Sequence, residues 1–346
     1  MEVKMAVFNI VKLSELEGAL RLDAEYYKPE YLKIEKLLQK LPLKVLKEIA
    51  YITDGSHEVR EYQREGVLFL RSQDISEVGL QVQEPVYISI EEDRKLTRSK
   101  PKRNDILTVK TGNVGVSLVV DENFPDCNLP ADIALIKIKN NFFNPFFVAT
   151  YLNSTYGRNL IFREMTGLSR PRVVIETIKS LKIPQFDLKV QQEIEKIVRE
   201  SYKQKIVSES LYSQAENLLL EELGLKDFKP QYKKTYTAKL SEAFSSRRID
   251  AKYFQPEYEK LINKIKSKTK IQILKEVAMV KRGSLIDPKF YNEAQGIPYI
   301  RGKDFSSGHL EKTDLVYISK DFKSQRETRV KTGDIVFASI GSVGTG

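Results

Sequence analysis

The sequence predicts an α+β protein in which two copies of one domain are separated by a long helix. The first observation is an internal repeat: residues 12–31 (KLSELEGALRLDAEYYKPEY) match residues 239–258 (KLSEAFSSRRIDAKYFQPEY) without a gap at 11 of 20 positions. The second is a series of short apolar, strand-like segments between residues 45 and 140. The third is a long helical pattern that begins at Leu188. The offset of 227 residues indicates a duplicated domain rather than a solenoid.

Two further segments extend the repeat. Residues 65–76 (EGVLFLRSQDIS) return as residues 295–306 (QGIPYIRGKDFS), and residues 104–115 (NDILTVKTGNVG) return as residues 333–344 (GDIVFASIGSVG). The offset changes from 227 to 230 and then to 229, as short insertions in surface loops would produce. Copy one continues for more than 100 residues beyond this point, whereas the sequence ends two residues beyond it in copy two. We therefore expect the second copy to be truncated.

The elements of copy one follow from local patterns. A helix is predicted over residues 23–40, where Tyr27, Tyr31, Ile34 and Leu38 share one face. The strands are predicted in GVLFLR, PVYIS, DILTVK, VGVSLVV and ADIALIKIK, and two glycines mark a tight hairpin after DILTVK.

A second helix begins at Asn144-Pro145. Asn caps the helix and Pro takes its first position. An apolar stripe of Val148, Leu152, Tyr156 and Leu160 continues this helix to about Met165.

The long helix is predicted from Leu188 to Leu223, followed by Gly224 as its C-terminal glycine. At 1.5 Å per residue it would be roughly 54 Å long. One apolar seam runs along it, and a helix of this length with one seam needs a partner helix. The seam residues that we predict to contact a partner helix are Ile194, Ile197, Leu211, Ala215 and Leu218.

These patterns predict four parts. Residues 1–185 form the first domain, 186–225 the long spacer helix, 226–240 a basic linker, and 241–346 the N-terminal part of the second domain.

Composition and missing motifs favour a binding protein over an enzyme. The net charge of +10 favours a polyanionic partner, nucleic acid first, although a solvated lysine-rich surface would give the same charge. One cysteine and two histidines leave no cysteine metal cluster, and no HExxH, CxxC or P-loop is present. Asn144-Pro145-Phe146-Phe147 lacks the second proline of an amino-methyltransferase motif. We expect no cofactor, no signal peptide, no membrane span and a cytoplasmic location.

The motifs in their order resemble the specificity (S) subunit of type I restriction-modification enzymes. The similarity lies in ITDGSHEVREYQREGVLFLRSQDI, in DILTVKTGNVG, in NPFFVATYLNS followed by TGLSRPRV, and in IPQFDLKVQQEIEKIV. The resemblance implies two target-recognition domains held apart by long antiparallel helices, each reading half of a split double-stranded DNA site. It also implies docking to DNA methyltransferase subunits and, through them, to motor-endonuclease (restriction) subunits. Copy two departs from it at residues 281–288, where KRGSLIDP lacks the histidine.

Candidate DNA-binding residues fall into two groups. Lys100 and Lys102 lie in a basic stretch suited to phosphate neutralisation, although a solvated loop is an equal alternative. Residues at positions that differ between the copies are better candidates for base reading, because two half-sites generally differ in sequence. The base-reading candidates are Gln73 against Lys303, Lys110, Thr111 and Asn113 against Ser339 and Ser342, and the loop residues Ser169, Arg170 and Arg172.

Four further residues are DNA-binding candidates, and for the first three a structural alternative stays open. Arg71 and Arg301 suit guanine, but each could instead pair with the aspartate three residues later and fix a turn. His57 is a base reader or a turn residue, and Arg282 lies in the copy-two segment aligned with the DGSH motif. Tyr26, Tyr31, Tyr253 and Tyr258 are interpreted as helix-packing or methyltransferase-docking residues.

Three functions remain open at this level. The first is a non-catalytic DNA-specificity subunit. The second is the specificity module of a fused restriction-methylation enzyme, and the third is a coiled-coil scaffold whose basic surface is incidental. Self-association through the long helix is compatible with each of them.

Overall fold

The computed structural model describes residues 9–14, 16, 21–57, 61–167, 171–229, 231–292, 296–306, 309–310, 315–319, 322 and 329–338. The chain divides into two compact units, residues 1–216 (unit 1) and residues 217–346 (unit 2). The predicted α+β class and the long helix are confirmed. The four predicted domain boundaries remain a prediction.

Unit 1 contains most of the regular structure. Its helices are α1 (Pro29–Leu38), α2 (Leu46–Ile49), α3 (Ile90–Lys95), α4 (Pro145–Asn153), α5 (Thr155–Arg163), α6 (Ile175–Ser180) and α7 (Leu188–Glu222), which extends past the unit boundary. Its strands are β1 (Leu43–Val45), β2 (Ala50–Asp54), β3 (Val67–Phe69), β4 (Ile75–Ser76), β5 (Gly79–Leu80), β6 (Tyr87–Ile88), β7 (Ile106–Val109), β8 (Ser117–Val119), β9 (Cys127–Asn128), β10 (Ile133–Ile138) and β11 (Lys182–Pro184).

The core of unit 1 is a four-stranded antiparallel sheet in the order β2-β10-β7-β8. All four residues of β7 and the first four of β10 are buried, so these strands show no alternation of apolar and polar side chains. Continuous burial of this kind is typical of a strand that is covered on both faces. The sheet brings the end of β2 and the end of β7 to either side of the start of β10, which positions the loops described below.

A smaller sheet, β6-β3-β9, lies beside the main one, with β3 and β9 parallel. Its last strand ends on a buried amide, Asn128. The Asn128 Nδ2 donates to Asp93 Oδ1 at 3.0 Å, and Asn128 Oδ1 accepts from the Ser99 hydroxyl at 2.5 Å. Because a buried amide must satisfy its hydrogen bonds, this network fastens the segment from α3 to Ser99 onto the sheet.

The predicted helix start at Asn144 is confirmed, but the predicted length is wrong. Asn144 Oδ1 accepts from the backbone N–H of Phe146 at 2.9 Å, and Pro145 is the first helical residue. The helix ends at Asn153, and Ser154 caps a new helix by accepting from the Gly157 N–H at 3.2 Å. A serine side chain competes with the helix for backbone donors, which favours a cap over a helix interior.

Unit 2 repeats the N-terminal elements of unit 1. Its helices are α8 (Leu240–Ser246), α9 (Pro256–Lys268) and α10 (Leu274–Val277), and its strands are β12 (Tyr291–Asn292), β13 (Ile297–Tyr299), β14 (Phe305–Ser306), β15 (His309–Leu310) and β16 (Val316–Ile318). The pairing of β13 with β16 and of β14 with β15 reproduces that of β3 with β6 and of β4 with β5.

The repeat extends to backbone detail. Gly66 and Gly296 have φ values of 138° and 135°. A Cβ at Gly66 would lie 2.2 Å from the Ile88 carbonyl oxygen, and one at Gly296 would lie 2.1 Å from that of Ile318. Both the conformation and the space therefore require glycine directly before β3 and before its counterpart β13.

The two units differ in how much of the repeated segment they bury. Leu46 and Ile106 are fully buried in unit 1, whereas their counterparts Leu274 and Ile335 are 55% and 88% exposed. In unit 1, β10 pairs with the strand that contains Ile106. Among the described residues of unit 2, no strand is assigned to residues 329–338. The described part of unit 2 thus leaves exposed the apolar side chains that unit 1 uses as core.

The first turns of α7 pack on unit 1. The buried Gln191 amide donates to the carbonyl oxygens of Phe142 and Phe186, and its Oε1 accepts from the Asn144 N–H at 2.8 Å. Ile194, together with Tyr202, packs against the core. The assignment of Ile194 to the partner seam is therefore wrong: its side chain already has an intradomain site. The other four seam residues are exposed: Ile197, Leu211, Ala215 and Leu218.

We predict different stability effects for two isoleucines one turn apart on α7. Ile194→Ala should lower the free energy of unfolding by about 1–3 kcal/mol, because it removes apolar contacts with the core. Ile197→Ala, the matched control at a 69% exposed side chain, should change it by less than about 0.5 kcal/mol. Urea unfolding at low protein concentration measures both, and an equal loss in the two variants would contradict the assigned packing.

Candidate nucleic-acid interface

Four segments of unit 1 converge on one surface, which we call the loop face. It comprises residues 54–57 at the end of β2, the turn Thr97–Ser99, residues 110–116 of the β7–β8 hairpin, and residues 166–167 and 171–173 of the loop after α5. Backbone hydrogen bonds join the last two of these segments: the Val173 N–H donates to the Lys110 carbonyl at 2.9 Å, and the Gly112 N–H donates to that of Pro171 at 3.2 Å.

Arg172 forms two β-bridges, one of which further connects the hairpin to the loop after α5. Thr111 and Thr166 each form an antiparallel bridge with Arg172. Thr111 itself is buried, so its backbone supports the loops while its side chain is withdrawn from solvent. The sequence-predicted residues Thr111 and Arg172 are thereby brought together, one as support and the other exposed.

The centre of the loop face is an ion pair between Lys110 and Asp54. Lys110 Nζ lies 2.7 Å from Asp54 Oδ2, with the two side chains 8% and 14% exposed. His57 Nε2 is 3.4 Å from the same carboxylate, and Arg98 is 3.9 Å from it. Partial burial alone would raise the pKa of Asp54. The hydrogen bond from Lys110 and the charges of Lys110, His57 and Arg98 outweigh that effect and lower the pKa.

This ion pair changes the interpretation of Lys110. The sequence analysis placed Lys110 among the base readers, but its ammonium group is buried and donates to Asp54. Sequence alone could not pair them, because the two residues are 56 positions apart. Lys110 therefore organises the loop face from below rather than contacting a partner.

The exposed side chains of the loop face include a histidine, two arginines and an asparagine. The side chains of His57 and Arg98 are 71% and 69% exposed, and Asn113 and Arg172 are also exposed. Gly112, at the tip, has a φ of 87°, and beyond Gly112 itself and its two chain neighbours no atom of the described residues lies within 4 Å of the position of its missing Cβ. Guanidinium and amide donors around such a tip can bind phosphate oxygens and base edges. Arg98 lies in the same basic stretch as Lys100 and Lys102, but the sequence analysis did not single it out.

Asn113 is held by a residue that the sequence analysis missed. Arg158 of α5 donates from Nη2 to Asn113 Oδ1 at 3.3 Å, and its Nη1 lies 2.8 Å from Glu77 Oε1. Glu77 occupies the turn between β4 and β5. The sequence offered one signal for this role: Arg158 lies on α5, the helix directly before the loop that contains Arg172.

Lys100 is placed differently from the sequence expectation. Its ammonium group donates to Asp93 at 2.8 Å and to Asp126 at 3.1 Å. The hydrogen bond to Asp93 is the main reason that its pKa is raised. These carboxylates neutralise Lys100 within unit 1, so it is poorly suited to a phosphate contact. Lys102 is exposed, and its backbone N–H donates to Asp105 Oδ2 at 2.8 Å.

Arg71 and Arg301 fix turns in both units. Arg71 donates to both carboxylate oxygens of Asp74 at 3.2 Å, and Arg301 does the same to Asp304 at 2.7 and 2.8 Å. Asp74 and Asp304 are buried. Of the two alternatives, the geometry favours the structural one, since the same fork recurs in both copies.

The remaining predicted residues are scattered or outside the described part. Gln73 and Lys303 are exposed on the turns just described, and Arg282 is exposed in unit 2. Ser169, Arg170, Ser339 and Ser342 lie outside the described residues. Tyr27 and Tyr31 are buried, which fits helix packing, and Tyr26 has the Arg163 guanidinium 4.0 Å from its ring centroid.

The described residues contain neither a metal-ligating cluster nor a membrane-spanning helix. No group of three or more His, Cys, Asp or Glu side chains in the described ranges could hold a metal ion. No helix in that part of the chain is long and apolar enough to cross a membrane.

Comparison with known proteins finds similarity only among solved structures. No protein-family model matches the chain, and no curated protein matches it. It is similar to the S subunit of a type I restriction-modification system from M. genitalium, at 16% identity and a TM-score of 0.40, over 80% of this chain and 61% of that one. It is also similar to the HsdS subunit from Thermoanaerobacter tengcongensis, at 15% identity and a TM-score of 0.33, over 55% and 48% of the two chains.

A third similar structure is the type IIG restriction endonuclease BpuSI, at 10% identity and a TM-score of 0.40, over 55% of this chain and 30% of that one. This chain thus spans less than two thirds of the length of each of these proteins. The two S subunits belong to the family that the sequence motifs resemble.

We predict that Asp54→Asn destabilises unit 1 in a pH-dependent way. The substitution leaves the Lys110 ammonium buried without its carboxylate, which should cost about 3 kcal/mol near neutral pH. Because the folded-state pKa of Asp54 is lowered, its contribution is present above the ordinary aspartate value of 3.8 and is lost as pH falls below that value. Thermal or urea unfolding from pH 7 to pH 3 should therefore show the gap between wild type and variant closing.

The control is Asp126→Asn, because that carboxylate is 71% exposed and should cost less than about 1 kcal/mol. A gap for Asp54→Asn that stays constant across the acid range would show that the pair does not form.

Proposed function

We propose that this chain is a DNA-specificity subunit of a type I restriction-modification system, and that the loop face of unit 1 reads one half of a split site. The observation that carries the proposal is the convergence of His57, Arg98, Asn113 and Arg172 on one surface around the tip of the hairpin. The ordered sequence motifs and the repeat of the same framework in unit 2 support it. A second reading surface in unit 2 and docking to methyltransferase and restriction subunits are parts of the same proposal.

The loop face suits DNA because the residues that hold the loops in place differ from the residues that are exposed for contact with DNA. The buried Lys110 and Thr111 and the partly buried Asp54 set the positions of the loops, and exposed donors remain available. Phosphate contacts fix the position of a protein on a duplex, and base contacts select the sequence. We assign phosphate contacts to Arg98 and Arg172 and base contacts to Asn113, with His57 beside them.

The role is binding without catalysis. In a fused restriction-methylation enzyme, catalytic groups would lie elsewhere in a longer polypeptide, and a scaffold would not bind duplex DNA at all. Methyl transfer or cleavage by the purified chain, free of other subunits, would contradict a non-catalytic role. Absence of duplex binding at low salt would favour the scaffold.

We predict weak, salt-sensitive binding of random duplex DNA. Fluorescence anisotropy over a salt series should show log K falling by about 0.9 per phosphate neutralised. Arg98→Ala and Arg172→Ala should each reduce the slope by about 1, because each removes one phosphate contact. Lys102→Ala tests the remaining exposed lysine of the basic stretch, and should weaken binding to all sequences alike.

Lys182→Ala is the control, since this lysine faces Glu35 on α1, 3.9 Å away, and lies outside the loop face. A slope reduced equally by Lys182→Ala would show that the salt dependence comes from net charge and not from the loop face.

We also predict self-association through α7. Ile197, Leu211 and Leu218 are exposed and are separated by 14 and 7 residues, which places them on one face of a heptad pattern. Burying each would gain about 1.5–3 kcal/mol. Sedimentation velocity should show a dimer that Leu211→Glu converts to monomer, while Lys203→Glu, at an exposed polar position of the same helix, leaves it intact. A wild-type monomer at tens of micromolar protein would refute this part of the proposal.

A further inference from the structure

Asn113 is an exposed residue next to Gly112 at the tip of the hairpin, and the oxygen of its side-chain amide already accepts a hydrogen bond. Its Oδ1 accepts from Arg158 Nη2 at 3.3 Å. The Arg158 guanidinium is itself held, because Nη1 lies 2.8 Å from Glu77 and the side chain is only 21% exposed. The contact therefore comes from a fixed donor rather than from a mobile surface arginine.

The hairpin also rests directly on the helix that carries Arg158. Gly115 has a φ of 86°, and a Cβ there would lie 3.3 Å from Ile161 Cδ1 and 3.5 Å from Arg158 Nε. This close approach leaves the hairpin little room to move away from α5. Arg158 thus keeps its position relative to Asn113 when the tip contacts a ligand.

The hydrogen bond from Arg158 determines which end of the Asn113 amide faces solvent. A guanidinium group has only N–H donors, so the amide must turn its oxygen toward Arg158. Turning the amide over would place two donors against each other and lose the hydrogen bond. The Nδ2 donors, with the second lone pair of Oδ1, are therefore the groups available at the surface.

We propose that Arg158 is a positioning residue for specificity: it orients the Asn113 amide so that Nδ2 donates to a purine N7 while Oδ1 accepts from the N6 amino group, which selects adenine. The proposal rests on the proposed DNA-binding function and adds a named base and the residue that enforces it. Asparagine and adenine form this two-bond contact in the major groove.

The test reverses the polarity of the ion pair. In Arg158→Glu combined with Glu77→Arg, the pair is kept, but the group beside Asn113 becomes an acceptor and should draw Nδ2 toward itself. The control is the same exchange on the same helix, Arg163→Glu with Glu35→Arg, a pair 2.8 Å apart that does not contact Asn113. The full-length chain is used to select from a duplex pool with random positions, and the bound DNA is sequenced.

We expect the first double variant to lose the adenine preference at one position by about tenfold or more, and the control exchange to retain it. Cytosine, whose N4 amino group faces the major groove, should gain relative to adenine. A binding variant that keeps the wild-type preference would overturn the proposal. A purely structural role for Arg158 would lower affinity for all sequences without changing their ranking.

A second variant tests the same proposal if the Arg158→Glu, Glu77→Arg double variant does not fold. Asn113→Asp changes an exposed residue, keeps an oxygen for Arg158 and removes both Nδ2 donors. We expect it to lose the adenine preference in the same selection, and retention of that preference would overturn the proposal. No enrichment by wild type would instead refute the DNA-binding function itself, so the two failures are distinguishable.

Discussion

The ion pair between Lys110 and Asp54 joins two strand ends that are not neighbours in the sheet. Asp54 ends β2 and Lys110 follows β7, and β10 lies between these strands. The backbone of Lys110 completes the junction: its N–H donates to the Asp132 carbonyl at 2.7 Å, and its carbonyl accepts from the Val173 N–H. One residue therefore connects β2, the start of β10 and the loop after α5. The positions of the exposed groups on the loop face depend on it.

A buried ion pair is a costly way to gain stability, because desolvation offsets much of the attraction. Its value here is geometric. An apolar pair could fill the same space, but it would not hold His57 within 3.4 Å or Arg98 within 3.9 Å of a common carboxylate. Asp54 thus fixes the positions of two exposed cationic or titratable side chains while it neutralises a buried one. The Lys110–Asp54 ion pair below the surface positions the segments of the loop face, and the exposed hydrogen-bond donors of the loop face remain available.

Local features of the fold could be predicted from the sequence. The Asn144 cap and the long helix depend on neighbouring residues, and the duplication is visible as a repeat. The break at Ser154 was missed because an apolar stripe at helical spacing crosses it, although a Ser-Thr pair favours a cap. Ile194 was assigned to the wrong surface because spacing along a helix shows which residues share a face, but not what covers that face.

The candidate site was less predictable, since its key contacts join distant segments. Lys110 and Asp54 are 56 residues apart, and Arg158 and Asn113 are 45 residues apart. Before folding, Lys110 is one of many lysines, and nothing in its neighbours indicates a buried partner. Comparing the two copies was more informative: the recurrence of Arg71 with Asp74 as Arg301 with Asp304 indicated a structural turn, and the geometry agrees.

The same comparison separates the framework from the proposed reading surface. Gly66 and Gly296 are equivalent in backbone and surroundings, so the framework is shared. Asp54 and Lys110, by contrast, align with Arg282 and Ser339, so the sequence of copy two cannot form the same pair. A cation replaces the carboxylate that organises unit 1, and the loops of unit 2 must be arranged by other contacts. Under the proposed function, two domains with one framework and different supports for their loops would present different donors to DNA. Reading two unlike half-sites requires that difference.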